Sequence, residues 1–152
     1  MLRCIRSLNP AHGGPLESVT QSTLVLQRRG HEIEIASLDA PGAHEFPAIA
    51  HALGPVRGSY GYSARYVPWL KENRARFDAV VVHGIWQYPS FGVWRALHGT
   101  PTPYFVFPHG MLDPWFKRTY PRKHVKKMFY WPWGEYRVLR DAAAVLFTSE
   151  EE

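Results

Sequence analysis

The chain has 152 residues, 45% apolar and 20% charged, with a formal net charge of +5. That is one ordinary domain's worth of sequence, with enough apolar material for a packed core and too little charge for a disordered chain. Cys4 is the only cysteine, which excludes an internal disulfide and fits a reducing compartment, and no run approaches the roughly 18 apolar residues of a membrane span.

Residues 1–8 read as a first strand, interrupted by Arg3 and Arg6. The loop Asn9-Pro10-Ala11-His12-Gly13-Gly14-Pro15 follows, then a helix over residues 15–29, with Pro15 suited to the first helical position. Leu16, Val19, Thr23 and Leu26 fall near one face of that helix, and Gly30 supplies a left-handed stop. Residues 31–37 alternate polar and apolar through Ile33 and Ile35, a second strand. The opening is therefore a β–α–β unit, and with no apolar h-region after Met1 no signal peptide is expected.

Residues 38–61 are rich in proline and glycine and predict an irregular connection with one short strand near Val56. A helix is expected over 63–76, with Tyr66, Leu70 and Phe77 inward. Residues 79–82 are wholly apolar, as in a central parallel strand covered on both faces. His83-Gly84-Ile85-Trp86 leaves the end of that strand, and residues 88–97 should be helical, closed by His98-Gly99. Tyr104-Phe105-Val106-Phe107 has the length and composition of a buried strand, stopped by Pro108, which has no N–H to donate. Residues 121–140 read as a helix broken at Pro132, and 142–147 as the last strand. Thr148-Ser149-Glu150-Glu151-Glu152 looks like a helix start with Ser149 as N-cap, so the chain is expected to be a fragment of a longer protein.

Alternating strands and helices imply a parallel sheet with right-handed crossovers, whose carboxyl edge is where open α/β sheets bind ligands. Two loops leave that edge at a histidine followed by glycine: His83-Gly84 and His109-Gly110. His109 is the central candidate to face a substrate; the residues alone leave open a histidine that merely caps a loop. Gly13-Gly14 before a helix suits a phosphate or sugar, since bare backbone N–H groups can approach the ligand. Its spacing is neither G-x-G-x-x-G nor a Walker loop, which disfavours NAD binding and phosphate hydrolysis. Trp86 could stack on a sugar ring or pack within its loop. Asp113 could orient the His109 imidazole, bind a sugar hydroxyl, or cap the turn ahead of Pro114.

Residues 117–140 hold Lys117, Arg118, Arg122, Lys123, Lys126, Lys127, Arg137 and Arg140, eight of the eighteen basic residues, against Glu135 alone. Phe129, Tyr130, Trp131, Trp133 and Tyr136 are interleaved. Such a segment suits an anionic membrane interface or single-stranded nucleic acid, or a solvated basic face over packed aromatics. Lys123 and Lys127, four apart, share a helix face and could hold one phosphate. No H-E-x-x-H motif and no cysteine pair is present, so no metal is expected.

Gly13-Gly14-Pro15, Arg29-Gly30-His31-Glu32-Ile33, Pro108-His109-Gly110-Met111-Leu112-Asp113-Pro114 and Ala144-Val145-Leu146-Phe147-Thr148-Ser149-Glu150 together resemble the amino-terminal half of a family 4 glycosyltransferase. The resemblance implies a retaining enzyme of the GT-B fold. This chain would be its Rossmann-like, acceptor-side domain, an open parallel sheet with helices on both faces. The nucleotide-sugar-binding carboxyl-terminal half would be missing. Gly13 and Gly14 would approach the diphosphate of the donor, and His109 the transferred sugar near its anomeric centre. To these the chemistry of the strand-end loops and the basic segment adds His83, Trp86, Asp113, Lys123 and Lys127 as candidates for substrate binding. The donor would be a nucleotide-diphosphate sugar, used without a metal cofactor, and the acceptor a glycan or a lipid-linked chain. The location implied is cytoplasmic, peripheral at the inner membrane face, in polysaccharide biosynthesis.

From a different class comes a non-catalytic, flavodoxin-like module that docks on membrane or nucleic acid through the basic aromatic face, nucleic acid being the less favoured. A third reading gives the Gly13-Gly14 loop another nucleotide cofactor. The isolated chain is expected to turn over little or nothing, because its donor contacts are absent.

Overall fold

A computed structural model of the chain describes residues 1–12, 14–112 and 128–147. Among the described residues one sheet of six parallel strands forms: β1 (Leu2–Ile5), β2 (Glu34–Ser37), β3 (Ile49–Ala52), β4 (Val80–His83), β5 (Tyr104–Phe107) and β6 (Ala144–Val145). Their order is β3-β2-β1-β4-β5-β6. The chain starts at the centre, winds out to β3, then returns to the other side of β1. Connections leaving β1 and β4 therefore diverge, and a crevice opens between their carboxyl ends.

Helices cover both faces. Helices α2 (Tyr66–Asn73), α3 (Tyr88–Leu97) and α4 (Glu135–Arg140) lie on one side, where Leu2, Cys4, Val80, Val82, Tyr104 and Val106 meet Tyr66, Leu70, Val93, Leu97 and Val138. Because side chains alternate along a strand, Arg3 and Ile5 point the other way, toward α1 (Gly14–Arg28). There a smaller cluster joins Ile5, Leu8, Val19 and Ile35.

Helix α1 begins one residue earlier than expected, so Pro15 is its second residue, and Val19 and Thr23 form its buried stripe. It ends as foreseen. Gly30 takes φ +84°, its N–H bonds to Gln27 O at 2.9 Å, and His31 N–H reaches Leu26 O at 3.1 Å, the paired bonds of a Schellman stop. Helix α2 starts only at Tyr66 because Pro68 can sit in a first helical turn but not deeper. Tyr66 and Leu70 are fully buried, and Tyr66 lies against Gly92 of α3, where an added Cβ would stand 2.6 Å from its ring.

Three expectations need correction. Arg3 does not interrupt β1: it is a buried strand residue whose guanidinium bonds to Val19 O (2.8 Å) and Ser22 Oγ (2.7 Å) of α1. The extra strand lies at Ile49–Ala52, not near Val56, where Arg57 and Tyr62 form only an isolated antiparallel bridge. His83 does not leave the end of β4 but is its last residue, sealed in the sheet. Of the helix read over 121–140, the described part holds helical residues at 128–130, turns at 131–134 and α4 after the break foreseen at Pro132.

Candidate active site

The site is built where β1, β4 and β5 end side by side. Pro108 stops the β5 ladder, and the next two residues both take left-handed backbone, His109 at φ +55° and Gly110 at φ +77°. Met111 N–H then reaches Pro108 O at 3.3 Å, closing a tight turn of the kind that needs φ > 0 at both central positions. Glycine adopts this freely, and histidine is among the few other residues that tolerate it. The turn folds the imidazole of His109 back over Phe107, their rings 4.4 Å apart and 17° from parallel. His109 is half-buried.

Phe107 is the register partner of His83, so both point to the same face of the sheet. This brings Nδ1 of His83 to 2.9 Å from Nε2 of His109. His83 is 6% exposed, and its Nε2 has no hydrogen-bond partner. Burial holds the His83 imidazole well below its usual pKa, aided by the Arg3 cation on the same face and by His109. It is therefore neutral at physiological pH.

The other side of the crevice is the loop entering α1. Asp39, just beyond β2, clamps it: one carboxylate oxygen accepts Leu8 N–H at 2.7 Å, the other the Ser7 hydroxyl at 2.6 Å. Asn9 Oδ1 accepts Ala11 N–H at 2.9 Å. Gly14 is exposed at the start of α1, and an added Cβ there would meet no other atom within 4 Å. Among the described residues the Cβ side of its backbone is therefore open, at the positive end of the helix.

The loops after β4 and β5 are stitched together by Trp86. Its backbone N–H donates to Glu135 Oε2 at 3.0 Å, its indole N–H donates to Met111 O at 3.3 Å, and its ring lies 5.6 Å from that of Trp131. Met111 Sδ in turn accepts Ile85 N–H at 3.4 Å. Glu135 is fully buried, its second oxygen accepting the Ser90 hydroxyl at 2.7 Å. These contacts fix the loops after β4 and β5 relative to α4.

Of the residues singled out in the sequence, Gly14, His83, Trp86 and His109 are thus carried to one edge of the sheet by adjacent strands. Gly13, Asp113, Lys123 and Lys127 lie outside the described residues. Four contributors had not been singled out for the site: Arg3, Asp39, Met111 and Glu135. Only Glu135 carried a signal, as a single acid in a segment of bases. In that segment Tyr130 and Trp131 turn inward, the Tyr130 hydroxyl lying 2.5 Å from that of Tyr60, whereas Phe129 and Trp133 are 78% and 70% exposed. Arg137 stands over the Trp133 ring and Arg140 over that of Tyr136.

Among the described residues no group of three or more histidine, cysteine, aspartate or glutamate side chains could hold a metal ion. None of their helices is long and apolar enough to cross a membrane. No curated protein matches the chain. Residues 13–152, all but the first twelve, match the family described as glycosyl transferase 4-like domain. With its parallel α/β sheet wound as one Rossmann-like half of a GT-B fold, the chain belongs to that glycosyl transferase family, whose members move a sugar from a donor to an acceptor.

Proposed function

We propose that this chain is the acceptor-side half of a retaining glycosyltransferase. The sugar would come from a nucleotide-diphosphate donor held chiefly by a second Rossmann-like half, and go to a glycan or lipid-linked acceptor. The observation that carries the reading is the shared edge: bare Gly14 backbone at a helix start on one wall of the crevice, the His109 imidazole on the other. The helix start favours the charge of the diphosphate, and His109 contacts the transferred sugar near its anomeric carbon.

In the step, the bond from that carbon to the diphosphate oxygen breaks, and the acceptor oxygen bonds to the carbon on the same face. The proton of the acceptor passes to the leaving phosphate. His109 positions and stabilises through hydrogen bonding, and backbone N–H groups share the charge of the leaving group without a metal. In an enzyme carrying both halves, His109→Ala should lower kcat by about 10²–10³-fold with the fold intact by circular dichroism. Unchanged turnover would overturn the assignment. The isolated chain should turn over little or no donor.

The exposed Phe129 and Trp133, with Arg137 over the Trp133 ring, support peripheral attachment to an anionic bilayer, with the acceptor presented from that surface. Phe129→Ser with Trp133→Ser should weaken cosedimentation with phosphatidylglycerol vesicles and leave the fold unchanged. Equal cosedimentation of both proteins would place the contact elsewhere.

A further inference from the structure

We infer that His83 is a positioning residue for His109: it donates its Nδ1–H to Nε2 of His109 and so fixes His109 in the tautomer that carries its proton on Nδ1. The inference rests on the reading of His109 as the substrate-facing imidazole, and it deepens that reading by naming which atom His109 offers as a donor.

One proton lies between the two facing nitrogens, 2.9 Å apart. A neutral pair can place it in two ways. If His109 donates, His83 must carry its own proton on Nε2. If His83 donates, its Nε2 holds a lone pair. The structure separates these cases, because Nε2 of His83 is buried and unpartnered. An orphaned N–H is among the rarest groups in a protein interior, and leaving a donor unsatisfied forfeits its full desolvation cost. An unpartnered lone pair is the lesser penalty. The surroundings agree: Arg3 and Val81 are register partners, and Val81 precedes His83 by two residues, so the guanidinium lies on the same face. A nearby cation favours a lone pair over an N–H dipole. Arg3 is itself held there by Val19 O and Ser22 Oγ, so its charge cannot swing away to solvent.

The chain of consequence then runs outward. With Nε2 accepting from His83, neutral His109 must carry its proton on Nδ1. Stacking on Phe107 keeps the ring from turning to exchange its edges. His109 so held is a hydrogen-bond donor through Nδ1, fit to stabilise negative charge gathering on a sugar or phosphate oxygen. It is not poised to remove a proton through that atom.

The test is the imidazole nitrogen spectrum of the uniformly ¹⁵N-labelled chain at pH 8. His83 and His109 are both expected as Nδ1–H tautomers. His83→Asn keeps an amide donor near the Nδ1 position, and His109 should keep its tautomer. His83→Phe keeps a ring but no donor, and His109 should shift to a mixture containing Nε2–H. A proton on Nε2 of His83, or a His109 tautomer indifferent to His83→Phe, would overturn the inference. Should the phenylalanine variant fail to fold, the wild-type spectrum decides alone. In an enzyme carrying both halves, His83→Phe should lower kcat by about 10–100-fold with little change in KM, and His83→Asn should restore most of it. Failure of the functional reading has a different signature: His109→Ala with full turnover, whatever the nitrogen spectrum shows.

Discussion

The two faces of the sheet are built to different standards. Under α2, α3 and α4 the buried polar groups are matched: the Tyr104 hydroxyl donates to Val138 O at 2.6 Å, the Ser63 hydroxyl to Leu53 O at 2.5 Å, and Ser90 to Glu135. Under α1 the cluster is small, and four polar side chains lie buried there: Arg3, Thr23, Ser37 and His83. Among the described residues, the buried side-chain atoms without a hydrogen-bond partner are Arg3 Nε, Thr23 Oγ1 and His83 Nε2, so every one is on this face. Each such atom costs about 1–3 kcal/mol. The apolar face therefore supplies stability, and the face that carries the histidine pair spends some of it.

The sharpest way to break this division is to cut into the apolar face. Tyr66 is fully buried between the sheet and Gly92, and Tyr66→Ala should lower unfolding free energy by about 3–5 kcal/mol in urea titration. A loss under 1 kcal/mol would mean that the layer is not where stability resides.

The same division decides what could be read from the sequence. Residues 80–82 and 104–107 announce themselves as strands because both of their faces are covered, and α3 fell at 88–97 as predicted, with Pro89 in its first turn and His98-Gly99 at its end. Strand β3 did not. It is an edge strand with Ile49 64% exposed, and its one strong side-chain tie is His51 to Glu34 at 2.6 Å, a partner seventeen residues away. Arg3 looked like an interruption because what satisfies it belongs to α1. His109 was legible as the residue after a strand stop. Its bond to His83 was not, because that depends on the register of β5 against β4, which no local pattern encodes. Glu135 was visible only as an odd acid, and its role requires knowing that Trp86 N–H and Ser90 would be brought to it.

A smaller effect probes the α1 face through pH. His83 is held neutral in the folded chain with its pKa well below 6.5, whereas in the unfolded chain it protonates near the ordinary value. Between those two points the unfolded state binds more protons, so stability falls as pH drops below about 6.5, by up to about 1.4 kcal/mol per pH unit from this group. Carboxylates such as Asp141, held down to about 2 chiefly by its hydrogen bond from Arg140, contribute equally to the wild type and to His83→Phe. The difference between their unfolding free energies should therefore change steadily from pH 7 to pH 5, with the wild type losing more. A flat difference would mean that His83 takes up a proton without penalty.

The finest test exchanges one hydroxyl on each face. Thr23 Oγ1 is sealed under α1 with no partner, and valine has the same shape, the same branching at Cβ and a similar helix propensity. Thr23→Val therefore removes an unsatisfied group and opens no cavity, and stability should hold or rise by up to about 1 kcal/mol. Ser90 presents the opposite case, since its hydroxyl donates to buried Glu135, and Ser90→Ala leaves that carboxylate short of a donor. That change should cost about 1–2 kcal/mol. Chemically the two substitutions are alike, each deleting one buried hydroxyl, yet the sign should differ because only one of the hydroxyls is matched. If Thr23→Val destabilised the chain as much as Ser90→Ala, the α1 face would have to be satisfied by ordered water, and its polar groups would contribute to stability as those on the other face do.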